Sequence, residues 1–443
     1  MTISKDLNTL LMHAPLVFNY LPIGSLYLAD ALEQEEIYTE LLQSNISHEE
    51  LGEKIEKIKP TAIGMSVITS PDIKDFVDHS KFIKENFPNL PIIWGGVHPS
   101  INPIQCSEES FIDYVITGQA ESTLPNMVKS IGRGENLEKT TISEPIANLD
   151  KYSPQWDKID ISKCVFPEEH SVHGKARLKE NEGQERTKNI FYYLVTSRGC
   201  VYNCTFCSEN REGEWRDHSS EWVKKEINNI EKKLQEKDIK LGGVGFWDDM
   251  FWINKKRAEE ILNFIKKKDL GYLIESRADN LLKNDARLLK RLKDTGCMQV
   301  FVGAESADQT TLDYIKKQTK VEDYYKLIDL VYQNEIPLRF SMIIGFPEET
   351  DVSVNKTLDF VEFIRQERNE YVSISGPKLF TPYPGTIEFQ RAVERGFVVP
   401  KTTIEWGGVS RKTEDYRTRF PWLKENLSSS TLKRMELVLK EEK

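Results

Sequence analysis

The stretch Thr196-Ser-Arg-Gly-Cys-Val-Tyr-Asn-Cys-Thr-Phe-Cys207 gathers Cys200, Cys204 and Cys207, three of the chain's six cysteines, into one short loop. Thiolates are soft donors, so such a trio selects an iron–sulfur cluster, zinc or copper(I) over hard cations. At this spacing each thiolate can take one iron of a 4Fe–4S cluster and leave the fourth iron open to a substrate or cofactor, as catalytic zinc keeps an open position. An open iron is a place for chemistry. Zinc is the alternative occupant. A structural zinc site would need a fourth Cys or His nearby, and the next candidate, His218, has no second Cys-x-x-Cys or His-x-x-x-His to complete it. Neither a catalytic zinc nor a redox pair uses the three-then-two spacing.

The trio follows an apolar run, residues 191–196, and five more candidate strands come after it: 244–247, 272–275, 299–302, 338–344 and 372–379. Between them apolar residues recur at helical spacing, as in Trp222, Ile227, Ile230 and Leu234, or Ala258, Ile261, Leu262 and Ile265. Asn254, Asn284 and Asp308 stand where N-caps belong. The alternation predicts a partial parallel (β/α)6 barrel over residues 190–399, with the loops at the strand C-terminal ends carrying the chemistry. Trp247, Phe251 and Trp252 read as core.

Residues 9–134 alternate apolar runs (9–12, 62–67, 91–94, 114–116) with amphipathic stretches starting near Gly24, Ile73 and Leu124. Fully apolar strands joined by helices indicate an α/β, doubly wound parallel sheet over residues 1–135, Rossmann-like in type. Such sheets bind ligands beyond the carboxyl ends of their strands. That edge would be lined by His13-Ala-Pro15, Ser66 to Ser70, Gly95-Gly-Val-His98 and Thr117-Gly-Gln-Ala-Glu121. Residues 136–189 read as a connector whose charged part, 168–188, is a surface loop; His170 and His173 there read as a solvated pair. Residues 400–443 read as a C-terminal extension containing Trp406 and Trp422 but no cysteine.

A formal charge of −10 and a pI near 5.5 argue against a broad nucleic-acid-binding face. No apolar run approaches the roughly 20 residues of a membrane-spanning helix, and the N-terminus lacks a signal peptide's apolar core, so the expected location is cytoplasmic. The cysteines form no disulfide framework; Cys106, Cys164 and Cys297 read as small, partly buried side chains.

Cys-x-x-x-Cys-x-x-Cys with Phe206 before its last cysteine resembles the radical S-adenosylmethionine (SAM) superfamily. Trp247-Asp-Asp-Met-Phe251, Glu275-Ser-Arg-Ala-Asp279, Val302-Gly-Ala-Glu-Ser306, Gly345-Phe-Pro-Glu-Glu-Thr350 and Thr381-Pro-Tyr-Pro-Gly-Thr386 follow the order seen in its branch with a cobalamin-binding-type N-terminal domain. The similarity covers most of residues 1–395. It implies that Cys200, Cys204 and Cys207 hold a 4Fe–4S cluster that cleaves SAM to a 5′-deoxyadenosyl radical, fed by an electron donor such as flavodoxin or ferredoxin. SAM carries both charge signs, and its pocket should offer both at strand ends. Asp248 and Asp249 are expected at its amino group, Arg277 at its carboxylate, Glu305 at ribose or amino group, and Gly345 near adenine, with Phe206 beside the cluster.

In the cobalamin-dependent relatives the N-terminal sheet edge holds the corrin, which carries over to Ser66, Gly95, Gly96 and Gly118. This chain has Gly118-Gln-Ala-Glu121 where the family often has Gly-Glu-Gly-Glu, and it lacks an Asp-x-His-x-x-Gly segment, so a cofactor-free domain stays open. The expected activity is cobalamin-dependent C-methylation of a small-molecule substrate. The alternatives are a cobalamin-free dehydratase, cyclase or rearrangement enzyme, and a non-catalytic metal-binding protein. A methylthiotransferase would place three cluster cysteines in the N-terminal domain, where this chain has only Cys106.

Overall fold

The computed structural model describes residues 7–15, 21–163, 166–167, 190–208, 214–283, 285–409 and 416–440. The chain divides into two compact units, residues 1–164 with 399–413, and residues 165–398 with 414–443. Asn284, His170, His173, Cys164 and the segment 168–188 lie outside the described residues.

The first unit is built on β1 (Asn8–His13), β2 (Tyr38–Gln43), β3 (Ala62–Ser66), β4 (Ile92–Gly95), β5 (Tyr114–Thr117) and β6 (Thr140–Ile142), all parallel, in the order β2-β1-β3-β4-β5-β6. The central strands are covered on both faces, which is why they read as unbroken apolar runs. On one face Leu11, Ala62, Ile93 and Ile116 pack with Leu32, Leu124 and Val128. Each such side chain contributes on the order of 1.5–3 kcal/mol by leaving water. The strand order reverses between β1 and β3, and their carboxyl ends, at His13 and Ser66, flank that switch point.

Three elements here depart from the expectation. β2 and the helix His48–Ile58, capped by Ser47 accepting from the Glu50 N–H at 3.1 Å, lie in a stretch with no clear apolar run. β2 is an edge strand with an exposed first residue, so its sequence is half polar. The segment expected as a connector from residue 136 supplies β6, the other edge.

The second unit begins with β7 (Phe166–Pro167), antiparallel to β8 (Ile190–Leu194). A short ribbon pairs β9 (Ser197–Arg198) with β10 (Arg216–Asp217). Then come β11 (Leu241–Phe246), β12 (Gly271–Ser276), β13 (Cys297–Glu305), β14 (Leu338–Ile344) and β15 (Val372–Leu379). The strands from β8 and β11 to β15 run parallel in one sheet that does not close, ordered β15-β14-β13-β12-β11-β8-β7. This is the six-stranded parallel arrangement expected, with β7 added at one edge. The helices between strands start at caps legible in sequence: Asn254 accepts from the Arg257 N–H at 3.2 Å and Asp308 from the Thr311 N–H at 3.0 Å. Ile274, Val300, Val302, Phe340 and Met342 are buried on the face the helices cover.

Residues beyond 398 do not form one extension. Residues 399–409 belong to the first unit, where buried Trp406 donates its indole N–H to Gln105 Oε1 at 2.7 Å. Residues 416–440 belong to the second, where Trp422 is fully buried.

Candidate functional site

The thiols sit on the loop that leaves β8 at the carboxyl edge of the second unit's sheet, with Cys204 buried and Cys200 and Cys207 half-buried. None of the three is in a disulfide. Gly199 turns the loop with φ +82°, and Cys207 N–H closes onto Cys204 O at 3.2 Å. Thr205 anchors the loop from below: its N–H donates to Ile315 O at 3.0 Å and its hydroxyl to buried Glu388 at 2.6 Å, which Arg391 pairs at 2.7 Å. Among the described residues no three or more His, Cys, Asp or Glu side chains converge as ligands of a single ion. A cubane asks for the opposite, because each thiolate takes a different iron and the donors must stand apart around it. Three thiols outside any disulfide, on one braced loop, fit that group by chemistry and count.

Asp248 has a different place from the one expected at SAM's amino group. It is fully buried and accepts from Thr196 N–H at 2.5 Å, Thr196 Oγ1 at 2.6 Å and Ser197 N–H at 3.1 Å. Burial lifts its carboxyl above the usual range, while Arg257 and the bonds from Thr196 and Ser197 pull it back. Arg257, also buried, reaches Asp248 at 4.0 Å and donates to Thr196 O at 2.7 Å and His218 O at 2.6 Å. Asp248 and Arg257 together pin the start of the cluster loop. Asp249, its neighbour, is exposed, and its charge acts on Cys200.

Arg277 is buried with its guanidinium 3.7 Å above the Tyr202 ring. Nε pairs with Asp279 at 2.9 Å, Nη2 donates to Lys317 O, and Nη1 lies 3.8 Å from Cys204 Sγ. Its donors are therefore shared among Asp279, Lys317 O and the cluster loop. Glu305 ends β13 in the left-handed region, φ +65°, and accepts from Lys317 Nζ at 2.8 Å. A side chain at Gly303 would stand 2.5 Å from Glu305 Oε1, so glycine there makes room for the pair. Lys317 Nζ also lies 6.0 Å from the Phe206 ring centroid, and Phe206 meets Phe346 edge-on at 5.7 Å.

The Gly345-Phe346 turn is held by Glu349, whose Oε2 accepts from both backbone N–H groups, and by Trp422, whose indole N–H donates to Gly345 O at 3.0 Å. Gly345 has φ +92°, and a Cβ there would approach Leu379 to 2.7 Å. Phe251 and Trp252 are buried as expected. Trp247 is only half-buried and stacks on Tyr193, ring centroids 4.5 Å apart.

Thr196, Arg257, Lys317, Glu349 and Trp422 were not legible as site residues. For Arg257 one signal exists. The helix Lys255–Lys267 opens with Lys255, Lys256 and Arg257, against the preference of a helix N-terminus for acid, which marks a specific partner.

In the first unit Ser66, Gly95, Gly96 and Gly118 all fall at the carboxyl edge of the sheet. Gly96 has φ +91° and ψ −167°, a region open to little but glycine, and a Cβ there would come within 2.9 Å of Val67 O. Ser100 Oγ ties two of these loops together, donating to Gly96 O at 2.7 Å and accepting from Gly118 N–H at 3.0 Å. Gly118, φ +78°, lies so close to Ser143 O that a Cβ would stand at 3.0 Å. Glycine at these two positions lets the loops after β4 and β5 pack against Val67 and Ser143 at the carboxyl edge, the side of such a sheet on which ligands bind. His98 is wholly buried, its Nδ1 3.0 Å from Thr69 Oγ1, and burial pushes its imidazole down to about 4.

Residues 11–128 match the model of the B12 binding domain, and residues 194–361 match that of the radical SAM superfamily. The chain is 26% identical over 407 residues to an uncharacterised methyltransferase of Pyrococcus horikoshii, covering 87% of this chain and 80% of that one. It is 26% identical over 405 residues to the anaerobic magnesium-protoporphyrin IX monomethyl ester cyclase of Rubrivivax gelatinosus, covering 85% of this chain and 67% of the cyclase. The solved radical SAM methyltransferase TsrM of Kitasatospora setae, holding tryptophan and a SAM analogue, superposes with TM-score 0.65 and 17% identity over 97% of this chain and 89% of TsrM. No helix among the described residues is long and apolar enough to cross a membrane.

Proposed function

The chain belongs to the radical SAM superfamily, in the cobalamin-dependent branch that sets a B12-binding domain before the radical SAM domain, and from that premise we propose that it methylates an unactivated carbon of a small molecule. The observation that carries the radical part is the braced loop with its three thiols, none of them in a disulfide. When bound, the cluster and SAM supply a carbon radical, and cobalamin supplies a transferable methyl group.

The chain's own residues position and shield. Asp248 and Arg257 hold the loop entry, and Thr205 with Glu388 holds its floor. Arg277 sets positive charge beside Cys204, which steadies an electron-rich thiolate. Phe206, Phe346 and Phe380 form an apolar wall that excludes water beside the loop, Phe346 and Phe380 lying 4.8 Å apart. The turn held by Glu349 and Trp422 sets a rigid backbone edge beside SAM's adenine, and exposed Asp249, whose charge reaches Cys200, is the carboxylate assigned to its amino group. Gly96 and Gly118 give cobalamin close backbone approach. A one-electron donor is required.

Support for methylation comes from the archaeal methyltransferase and TsrM, both matched across most of their length. The cyclase relative favours a second reading, in which the same radical oxidises and closes a ring. Anaerobically reconstituted protein should release 5′-deoxyadenosine from SAM with dithionite and retain hydroxocobalamin through desalting. An intact SAM pool would reject the radical reading. Loss of the corrin on desalting would reject methylation by this route.

A further inference from the structure

Just past β2, at one edge of the first unit's sheet, the turn that starts at Ser44 and the two helices His48–Ile58 and Ile73–Asn86 border a cavity of about 390 Å³. That volume suits a small molecule. β2 stands three strand spacings from β4, about 14 Å, so the cavity is separate from the turns at Gly96 and Gly118. Asp75, Asp78 and His79 line it from the second helix, where spacings of three and four residues put them on one face. His48 lines it from the first and stacks on Phe82, ring centroids 4.4 Å apart.

The hydrogen bonding of this cavity is unbalanced. His79 is only 3% exposed, and its Nε2 lies 2.7 Å from Ser44 O. A carbonyl can only accept, so Nε2 carries the ring proton. Burial lowers the imidazole pKa against the pull of that bond, which keeps the ring neutral and leaves Nδ1 a lone pair. Nδ1 has no hydrogen-bond partner among the described residues, and neither has Ser44 Oγ, on a residue 1% exposed. The charges that act on His79 are those of His48, Asp78 and Asp75, the other walls. The half-buried Asp75 carboxylate accepts no hydrogen bond from a described side chain, and burial lifts it, Lys74 opposing, Asp72 adding, His79 opposing and Asp78 adding. Asp78 has one partner, His48 Nε2 at 2.8 Å. The site therefore offers acceptors that want donors. Asp72, Asp75 and Asp78 against Lys74 disfavour an anion. A single metal ion is poorly matched, because among the described residues no three such side chains converge. An ammonium group has three donors and no acceptor.

We infer that this cavity binds a small molecule bearing a primary ammonium group, which donates to His79 Nδ1 and to the Asp75 carboxylate, with Ser44 Oγ as a third acceptor. The inference stands apart from the radical chemistry proposed above and is read by binding alone.

The full chain is dialysed to equilibrium near neutral pH against benzylamine and, separately, benzyl alcohol, which share shape and differ in the ammonium group. The amine should bind at least about tenfold more tightly, the worth of one charge-assisted contact. Asp75→Asn and His79→Phe should each bring that ratio toward one. Glu56→Gln, which removes an exposed carboxylate farther along the helix His48–Ile58, should leave it unchanged. In protein carrying isotope-labelled histidine, nitrogen resonances should show His79 protonated on Nε2 alone, with the Nδ1 signal moving as benzylamine is added and staying still with the alcohol. A wild-type ratio near one overturns the inference, as does a ratio that survives both substitutions or a His79 proton found on Nδ1. Should the variants not fold, the wild-type ratio and the His79 resonances decide.

Discussion

Glu349→Gln should stabilise the barrel unit above neutral pH and change it little in acid. Glu349 is buried; Oε2 accepts from Gly345 N–H at 2.5 Å and Phe346 N–H at 3.0 Å, while Oε1 has no hydrogen-bond partner among the described residues. Burial raises the carboxyl to about 7, the two backbone donors pulling it down and Asp308 pushing it up. In the unfolded chain the same group titrates at about 4.3. The folded state therefore holds the proton more tightly. Its favourable contribution is complete below the unfolded value and is lost as pH rises through the folded one. A separation of about 2.5 units corresponds to about 3 kcal/mol between pH 4.5 and pH 8. Glutamine keeps an oxygen for the two N–H groups and never ionises. In urea unfolding of the cluster-free protein, the variant should match wild type within about 0.5 kcal/mol at pH 4.5 and exceed it by about 3 kcal/mol at pH 8. That is roughly 6 to 12 °C in the melting temperature of a unit this size. A separation between the two proteins that stays constant across this range would refute the reasoning.

Three further substitutions test the scaffold. Arg257→Met leaves Asp248 buried without its cation and strips the donors from Thr196 O and His218 O, so unfolding should become easier by about 3–5 kcal/mol and bound iron should fall; stability within about 1 kcal/mol of wild type would deny the clamp. Gly245→Ala drives a methyl into the Tyr193 ring, which should cost about 1–3 kcal/mol and alter near-ultraviolet dichroism as the stack on Trp247 opens; an unchanged spectrum would count against this packing. Gly96→Ala imposes a backbone conformation alanine avoids, at about 1–3 kcal/mol, and should weaken hydroxocobalamin retention while iron content holds; full retention would remove this turn from the corrin site.

Much of the frame was legible before the structure. The barrel strands β14 and β15 match their expected bounds, because central parallel strands are apolar along their length and turn residues end them. β2 and β6 escaped notice because both are edge strands, half wet and therefore half polar. At the site, the sequence marks Asp248 as a residue of interest, and the structure gives its carboxylate to Thr196 and Ser197. An acidic pair at a strand end announces charge, and only the partners on Thr196, Ser197 and Arg257 show which member turns inward. Trp247 was assigned to the core for its apolar bulk, although strand parity sends it to the open face beside Tyr193.

The linear chain alone established what is local. Three thiols within one loop name their own chemistry, since ligand type and spacing are properties of neighbouring residues. Glycines flanking apolar runs likewise foretell where backbone can approach a ligand. Folding settled what depends on partners far apart in sequence: Arg257 on Thr196, Lys317 beneath Glu305, Trp422 on the Gly345 turn, and His79 on Ser44. These contacts exist because strand register and chain return bring together groups whose own neighbours carry no trace of the meeting, and burial then gives the charges among them their weight.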